Sequence, residues 1–114
     1  MNTVTIRVAT PEEIDASIIE AWETGEPQGC FITFPTPELL WKTLTPKRWE
    51  IIKAMAGAGP LGIRELARRV DRDVKGVHTD AQALVQCGVL EKADDGKLEF
   101  PYDAVHVDFM VHAA

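Results

Sequence analysis

The chain has 114 residues, of which 46% are hydrophobic and 26% charged, and a net charge of −6. That length suits one domain, or a small domain with an appended arm, and no apolar run approaches the roughly 20 residues that span a bilayer. The N-terminal MNTVTIRVATPEE has no basic block before an apolar one and does not read as a secretory signal, and Cys30 and Cys87 show no metal or redox spacing, so they read as reduced thiols of a cytoplasmic protein.

Thr3 to Val8 alternates, with Val4, Ile6 and Val8 on one side and Thr3, Thr5 and Arg7 on the other, the pattern of a half-buried strand. Thr10-Pro11-Glu12-Glu13 then opens a helix by a cap, an N1 proline and a capping-box glutamate, and Ile14, Ile18, Ala21 and Trp22 share its apolar face up to Gly25. Cys30 to Phe34 is a short β-prone run closed by Pro35. Thr36-Pro37 and Thr45-Pro46 repeat the cap-plus-proline signal, which predicts helices from Pro37 to about Leu44 and from Pro46 to about Ala56. Gly57 to Pro60 stops the second of these.

Two further runs of helical period follow: Ile63, Leu66, Ala67 and Val70, then Val74, Val77, Ala81, Leu84 and Val85. Asp71-Arg72-Asp73 separates them, with Asp73 placed to cap the second helix and Gly88 to end it. Two short helices joined by such a turn form the pattern of a helix-turn-helix. Val89-Leu90 begins a strand, Asp95-Gly96 signals a two-residue hairpin turn, and Lys97 to Phe100 returns. From Ala104 to Val111 the period is two again, with Val105, Val107, Phe109 and Val111 on one face and His106, Asp108, Met110 and His112 on the other. That strand needs a sheet to join, in this chain or in a second one.

Charge is unevenly spread. Residues 1–41 carry one base and seven acids, residues 42–87 nine bases and five acids, and residues 88–114 two bases and six acids. The local excess of positive charge falls on the helix-turn-helix stretch, which is what phosphate binding needs whatever the total.

The order helix, helix, helix, hairpin over residues 46–100 resembles the winged-helix transcription factors of bacteria and archaea. The residues that carry the likeness are Trp49-x-x-Ile52, Ile63-x-x-Leu66-Ala67, Val77, Leu84 and Gly88-Val89-Leu90. FITFPTPELLWKTLTPKRWEIIKAM together with VHVDF extends it over about residues 30–111 and resembles winged-helix DNA-binding antitoxins of toxin–antitoxin pairs, of the TumA type. The resemblance implies an autoregulating homodimer that binds double-stranded DNA at its own operator and neutralises a small toxin encoded nearby.

The expected fold class is therefore α+β: a winged helix-turn-helix over residues 42–101, a strand-helix-strand extension over 1–41 for dimerisation or partner binding, and a C-terminal strand over 102–114. With the apolar set of the second motif helix turned to the core, Lys75, Gly76, Thr79, Gln82 and Gln86 face outward. Lys75 suits a guanine edge or a phosphate, Thr79 a thymine methyl or a phosphate, and Gln82 an adenine, while Gly76 lets the backbone approach the groove. Arg68, Arg69 and Arg72, with Lys47, Arg48 and Lys53 before them, are candidates for phosphate contacts. A solvated face is the bland alternative for each. The tip Asp94-Asp95-Gly96-Lys97 is acidic apart from Lys97 and is poorly suited to minor-groove insertion. His78, His106 and His112 lie on different elements, no metal-ligand spacing is present, and no catalytic set converges, so no enzyme, metal or cofactor is expected. The competing reading is a protein-binding antitoxin or assembly module whose winged helix does not read DNA.

Overall fold

The computed structural model describes residues 2–9, 12 and 30–108. The helix expected after Thr10, and the residues from Phe109 onward, lie outside them. The described chain is a mixed α and β fold with four helices, one parallel sheet and one antiparallel hairpin. It divides into two compact units, residues 1–42 with 104–114, and residues 43–103.

The first unit holds the parallel sheet. β1 (Thr3–Val8) is its central strand, flanked by β2 (Cys30–Phe34) and by β5 (Ala104–Asp108) from the other end of the chain. Both pairings are parallel, with Ile6 level with Ile32 on one side and Val107 on the other. The period of two in β1 holds over its first part: Val4 and Ile6 are fully buried while Thr3, Thr5 and Arg7 are half-buried, but Val8, expected beside Val4 and Ile6, is only half-buried. The strands at the two ends of the described chain thus pair through β1 within one molecule. α1 (Pro37–Thr43) follows β2. Its Thr36 cap accepts from the Leu39 amide at 3.2 Å, Leu40 is buried, and Leu39 and Trp41 are exposed.

The second unit packs α2 (Pro46–Met55), α3 (Ile63–Arg69) and α4 (Val74–Cys87) with the hairpin of β3 (Glu91–Lys92) and β4 (Leu98–Glu99). Its core comprises Ile51, Ile52, Met55, Leu66, Ala67, Val77, Ala81 and Leu84 from the helices, with Val89, Leu90, Leu98 and Phe100 beyond them. Leu61, just before α3, exchanges two backbone hydrogen bonds with Leu98, at 2.7 and 2.8 Å, and so adds a one-residue rung to the hairpin. Thr45 caps α2 by accepting from the Arg48 amide, and Asp73 caps α4 by accepting from the Gly76 amide. Gly88 closes α4 in the left-handed region, at φ 93°.

Three further expectations are corrected. Val74 is 42% exposed rather than core, and the buried line of α4 starts one turn later at Val77. Periodicity assigns it inward, but a first-turn side chain is covered only if the preceding loop folds over it. Val89 and Leu90 are buried residues that precede the hairpin, and the first strand starts at Glu91. The hairpin is not closed by a two-residue Asp95-Gly96 turn. Gly96 donates to the Ala93 carbonyl at 2.9 Å, Ala93 donates to Lys97 O, and only Gly96 has positive φ there, so the loop is Asp94-Asp95-Gly96. A type I′ two-residue turn needs positive φ at both central residues, which an aspartate resists more than a glycine.

Candidate nucleic-acid interface

The link between α3 and α4 is built by hydrogen bonds that finish one helix and start the next. Arg72 N–H donates to the Ala67 carbonyl at 3.0 Å and Asp71 N–H to the Arg68 carbonyl at 3.2 Å. This double closure requires a left-handed residue between the helices, and Asp71 supplies it at φ 55°. Two residues on, Asp73 caps α4.

The basic residues of this region separate into two groups. Arg48 and Arg72 converge on one carboxylate. Arg48 Nε lies 3.1 Å from Asp80 Oδ1 and Arg72 Nη2 lies 2.9 Å from Asp80 Oδ2, with all three side chains about one-fifth exposed or less. Arg48 Nη1 also donates to the Thr43 carbonyl at 2.8 Å. Burial raises the Asp80 carboxyl, but the hydrogen bonds and charges of Arg48 and Arg72 outweigh it and hold the group below its ordinary value of 3.8. This cluster ties α2, the α3–α4 turn and the middle of α4 together, so both guanidinium groups act inside the unit. Arg72 Nη1 is buried and has no hydrogen-bond partner among the described residues.

The second group faces water. Arg68 and Arg69 both pair with Glu65, Arg69 at 3.1 Å, and their side chains are 78% and 44% exposed. One carboxylate thus offsets part of the charge of two arginines. Lys47, Arg64 and Lys75 are exposed and have no ion-pair partner among the described residues. Arg64 is a cation that sequence reasoning passed over. It stands four residues before Arg68, on the same exposed side of α3, and that spacing could have found it.

On α4, Lys75 and Thr79 are exposed, and the Thr79 hydroxyl donates to the Lys75 carbonyl at 3.2 Å. Gln82 is half-buried, with its amide nitrogen 3.5 Å from His78 Nε2. Gln86 is exposed. Gly76 has a local explanation: a Cβ there would lie 3.0 Å from Asp73 Oδ1 and 3.2 Å from Arg72 Nη2. Its missing side chain makes room for the cap and for the arginine that reaches Asp80. A cleft of about 200 Å³ separates α4 from the hairpin and is lined by Ile63, His78, Ala81, Gln82, Lys92 and Leu98. Lys92 thus brings a cation beside Gln82 from the hairpin's first strand, whereas the tip carries Asp94 and Asp95.

Among the described residues no cluster of histidine, cysteine and carboxylate groups has metal-holding geometry. Cys87 is half-buried, its thiol is pushed up by burial, and both cysteines are free. No described helix is long and apolar enough to cross a membrane.

Residues 43–107 match the HVO_A0114 family. The chain belongs to the HVO_A0114 family. The HVO_A0114 match opens at Thr43, where the helical unit opens, and closes inside β5, so it takes in the whole Arg48–Asp80–Arg72 cluster and the exposed cations of α3 and α4. No curated protein and no solved structure gives a significant match.

Proposed function

We propose that this protein is a winged-helix transcriptional regulator of the cytoplasm that binds double-stranded DNA sequence-specifically as a homodimer. The observation that carries the reading is the exposed, cation-bearing side of two consecutive helices, Arg64 and Arg68 on α3 with Lys75 and Thr79 on α4, joined by a tightly closed turn. The helix order, the Leu61–Leu98 rung and the hairpin after α4 support the winged-helix reading. Arg64, Arg68, Arg69, Lys75 and Lys47 contact phosphates, and Lys75, Thr79 and Gln82 read base edges. Lys92 serves the hairpin in place of the acidic tip. The resemblance of residues 30–111 to TumA-type antitoxins adds the further reading that the regulator represses its own operon and holds a small toxin.

The test is titration of the protein against its own upstream DNA and against random duplex at several salt concentrations. Each phosphate neutralised contributes about −0.9 to the slope of log affinity against log salt, so five contacts per protomer give about −4.5. Equal affinity for both duplexes removes the sequence-specific role. In that case the acidic composition of residues 1–41 favours a protein-binding antitoxin, which co-purification with the product of the adjacent reading frame tests.

A further inference from the structure

We infer that the free edge of β5 is the homodimer interface, where a second copy of this chain pairs antiparallel about a two-fold axis through Val107. The inference rests on the homodimer reading above and assigns it a surface. β5 stands at the end of the parallel sheet, so one side of its backbone faces β1 and, among the described residues, no strand lies on the other. The register row Ile32–Ile6–Val107 shows what the missing neighbour does. Ile6 in the centre is fully buried, Ile32 is half-buried and Val107 is 37% exposed. An apolar row that runs out at an open edge is the arrangement a further strand completes.

The opposite face says which strand fits. His106 and Asp108 are both exposed. Arg7 is level with Asp108 in the sheet, yet it turns the other way: its Nε donates to Thr33 Oγ1 at 3.1 Å and its guanidinium stacks 4.2 Å from the Phe31 ring centroid. Asp108 therefore has no ion-pair partner among the described residues. An antiparallel copy centred on Val107 sets Val107 against Val107 and each His106 against an Asp108, an imidazole donor facing a carboxylate acceptor twice over. Centring on His106 instead sets imidazole against imidazole and leaves the carboxylate facing Ala104. β5 is thus complementary to itself in one register. β2 has no such polar pair, since Arg7 already occupies Phe31 and Thr33.

Sedimentation equilibrium at micromolar concentration gives a dimer for the wild-type chain. His106→Asp replaces two attractive contacts with two repulsive ones and weakens the dimer roughly tenfold, and adding Asp108→His restores it. In a Cys30→Ser/Cys87→Ser background, Val107→Cys forms a disulfide-linked dimer under mild oxidation, because opposed residues at the centre of an antiparallel pair fall within disulfide reach. A wild-type monomer overturns the dimer reading and this inference together. A wild-type dimer that ignores His106→Asp, or one that cross-links through Ile32→Cys and not through Val107→Cys, overturns the β5 assignment alone.

Discussion

Removing the Asp80 carboxylate tests the central structural claim, that two of the nine bases in residues 42–87 hold the helices together. In Asp80→Ala, Arg48 keeps its hydrogen bond to the Thr43 carbonyl and loses the one to Asp80. Among the described residues Arg72 loses its one ion pair, and its Nη1 already has no hydrogen-bond partner there. Breaking a fully buried pair from one side costs about 3–5 kcal/mol, because an uncompensated charge is left behind. Here the arginine side chains are 19% and 21% exposed, so water reaches them in part. The expected loss is near the lower end, about 3 kcal/mol, and for a unit of roughly 60 residues each kcal/mol lowers Tm by about 4–8 °C. Urea unfolding followed by far-ultraviolet circular dichroism measures it. Replacing all three residues together, as Arg48→Met, Arg72→Met and Asp80→Leu, recovers most of the loss, since an apolar cluster leaves no stranded charge.

The pH dependence follows from the direction of the Asp80 shift. The folded carboxyl titrates below its ordinary value of 3.8, so its contribution is complete above that value and is lost as pH falls through the lower folded value. The stability gap between wild type and Asp80→Asn is therefore constant near neutrality and closes below about pH 4. A loss under about 1 kcal/mol in Asp80→Ala, the size of an exposed pair, or a gap that does not narrow at all as pH falls below about 4, refutes the clamp and returns Arg48 and Arg72 to the pool of solvated cations.

Asp71→Gly relieves the left-handed backbone at the turn and is expected to stabilise the protein by about 1 kcal/mol in the same unfolding assay, with Asp71→Ala lowering stability. Glu65→Gln releases Arg68 and Arg69 from their shared carboxylate and is expected to tighten DNA binding several-fold at low salt, an effect that shrinks as salt rises. Arg64→Ala and Lys75→Ala each make the salt slope shallower by about 0.9, read by fluorescence anisotropy, whereas Lys53→Ala, paired with Glu50 on α2, leaves it unchanged.

Local chemistry carried much of the fold. Thr36, Thr45 and Asp73 each cap the helix that their side chains suit, and Gly88 ends α4 where a left-handed residue is required. The alternation of Thr3 to Val8 marks three inward positions, of which two, Val4 and Ile6, are buried. What escaped the sequence is what depends on distant partners. Nothing in the run of α4 marks Asp80 as different from any other mid-helix acid, because its partners stand 32 and eight residues before it in the chain. The same invisibility made a charge count overstate the free positive surface, since Arg48 and Arg72 look no different from Arg64 until the helices pack. The joining of β5 to β1 is likewise a pairing between chain ends, which periodicity can require but cannot address.

Gly76 brings these strands of reasoning to one residue. A glycine near the start of a helix reads as permission for close approach to a groove, and replacing it with alanine in an exposed helix is worth about 1 kcal/mol of propensity. The packing gives it another task. A Cβ at position 76 would press on Asp73 Oδ1 at 3.0 Å, the carboxylate that caps α4 through Gly76 N–H at 2.9 Å, and on Arg72 Nη2 at 3.2 Å, the nitrogen that holds Asp80. An N-cap aspartate is worth about 1 kcal/mol, so Gly76→Ala gains propensity and gives up much of it through a displaced cap, for a net change near zero. In an Asp73→Ala background the cap is already gone, and the same substitution should then yield nearly its full gain of about 1 kcal/mol. The difference between the two backgrounds, measured as a double-mutant cycle by urea unfolding, isolates the contact between position 76 and the cap. An equal gain in both means that Gly76 is free of Asp73, and the groove-approach reading regains its force. A gain only without the cap means that the glycine serves the turn, and that the first turn of α4, with Lys75 upon it, is held rigid by Asp73 before any DNA arrives.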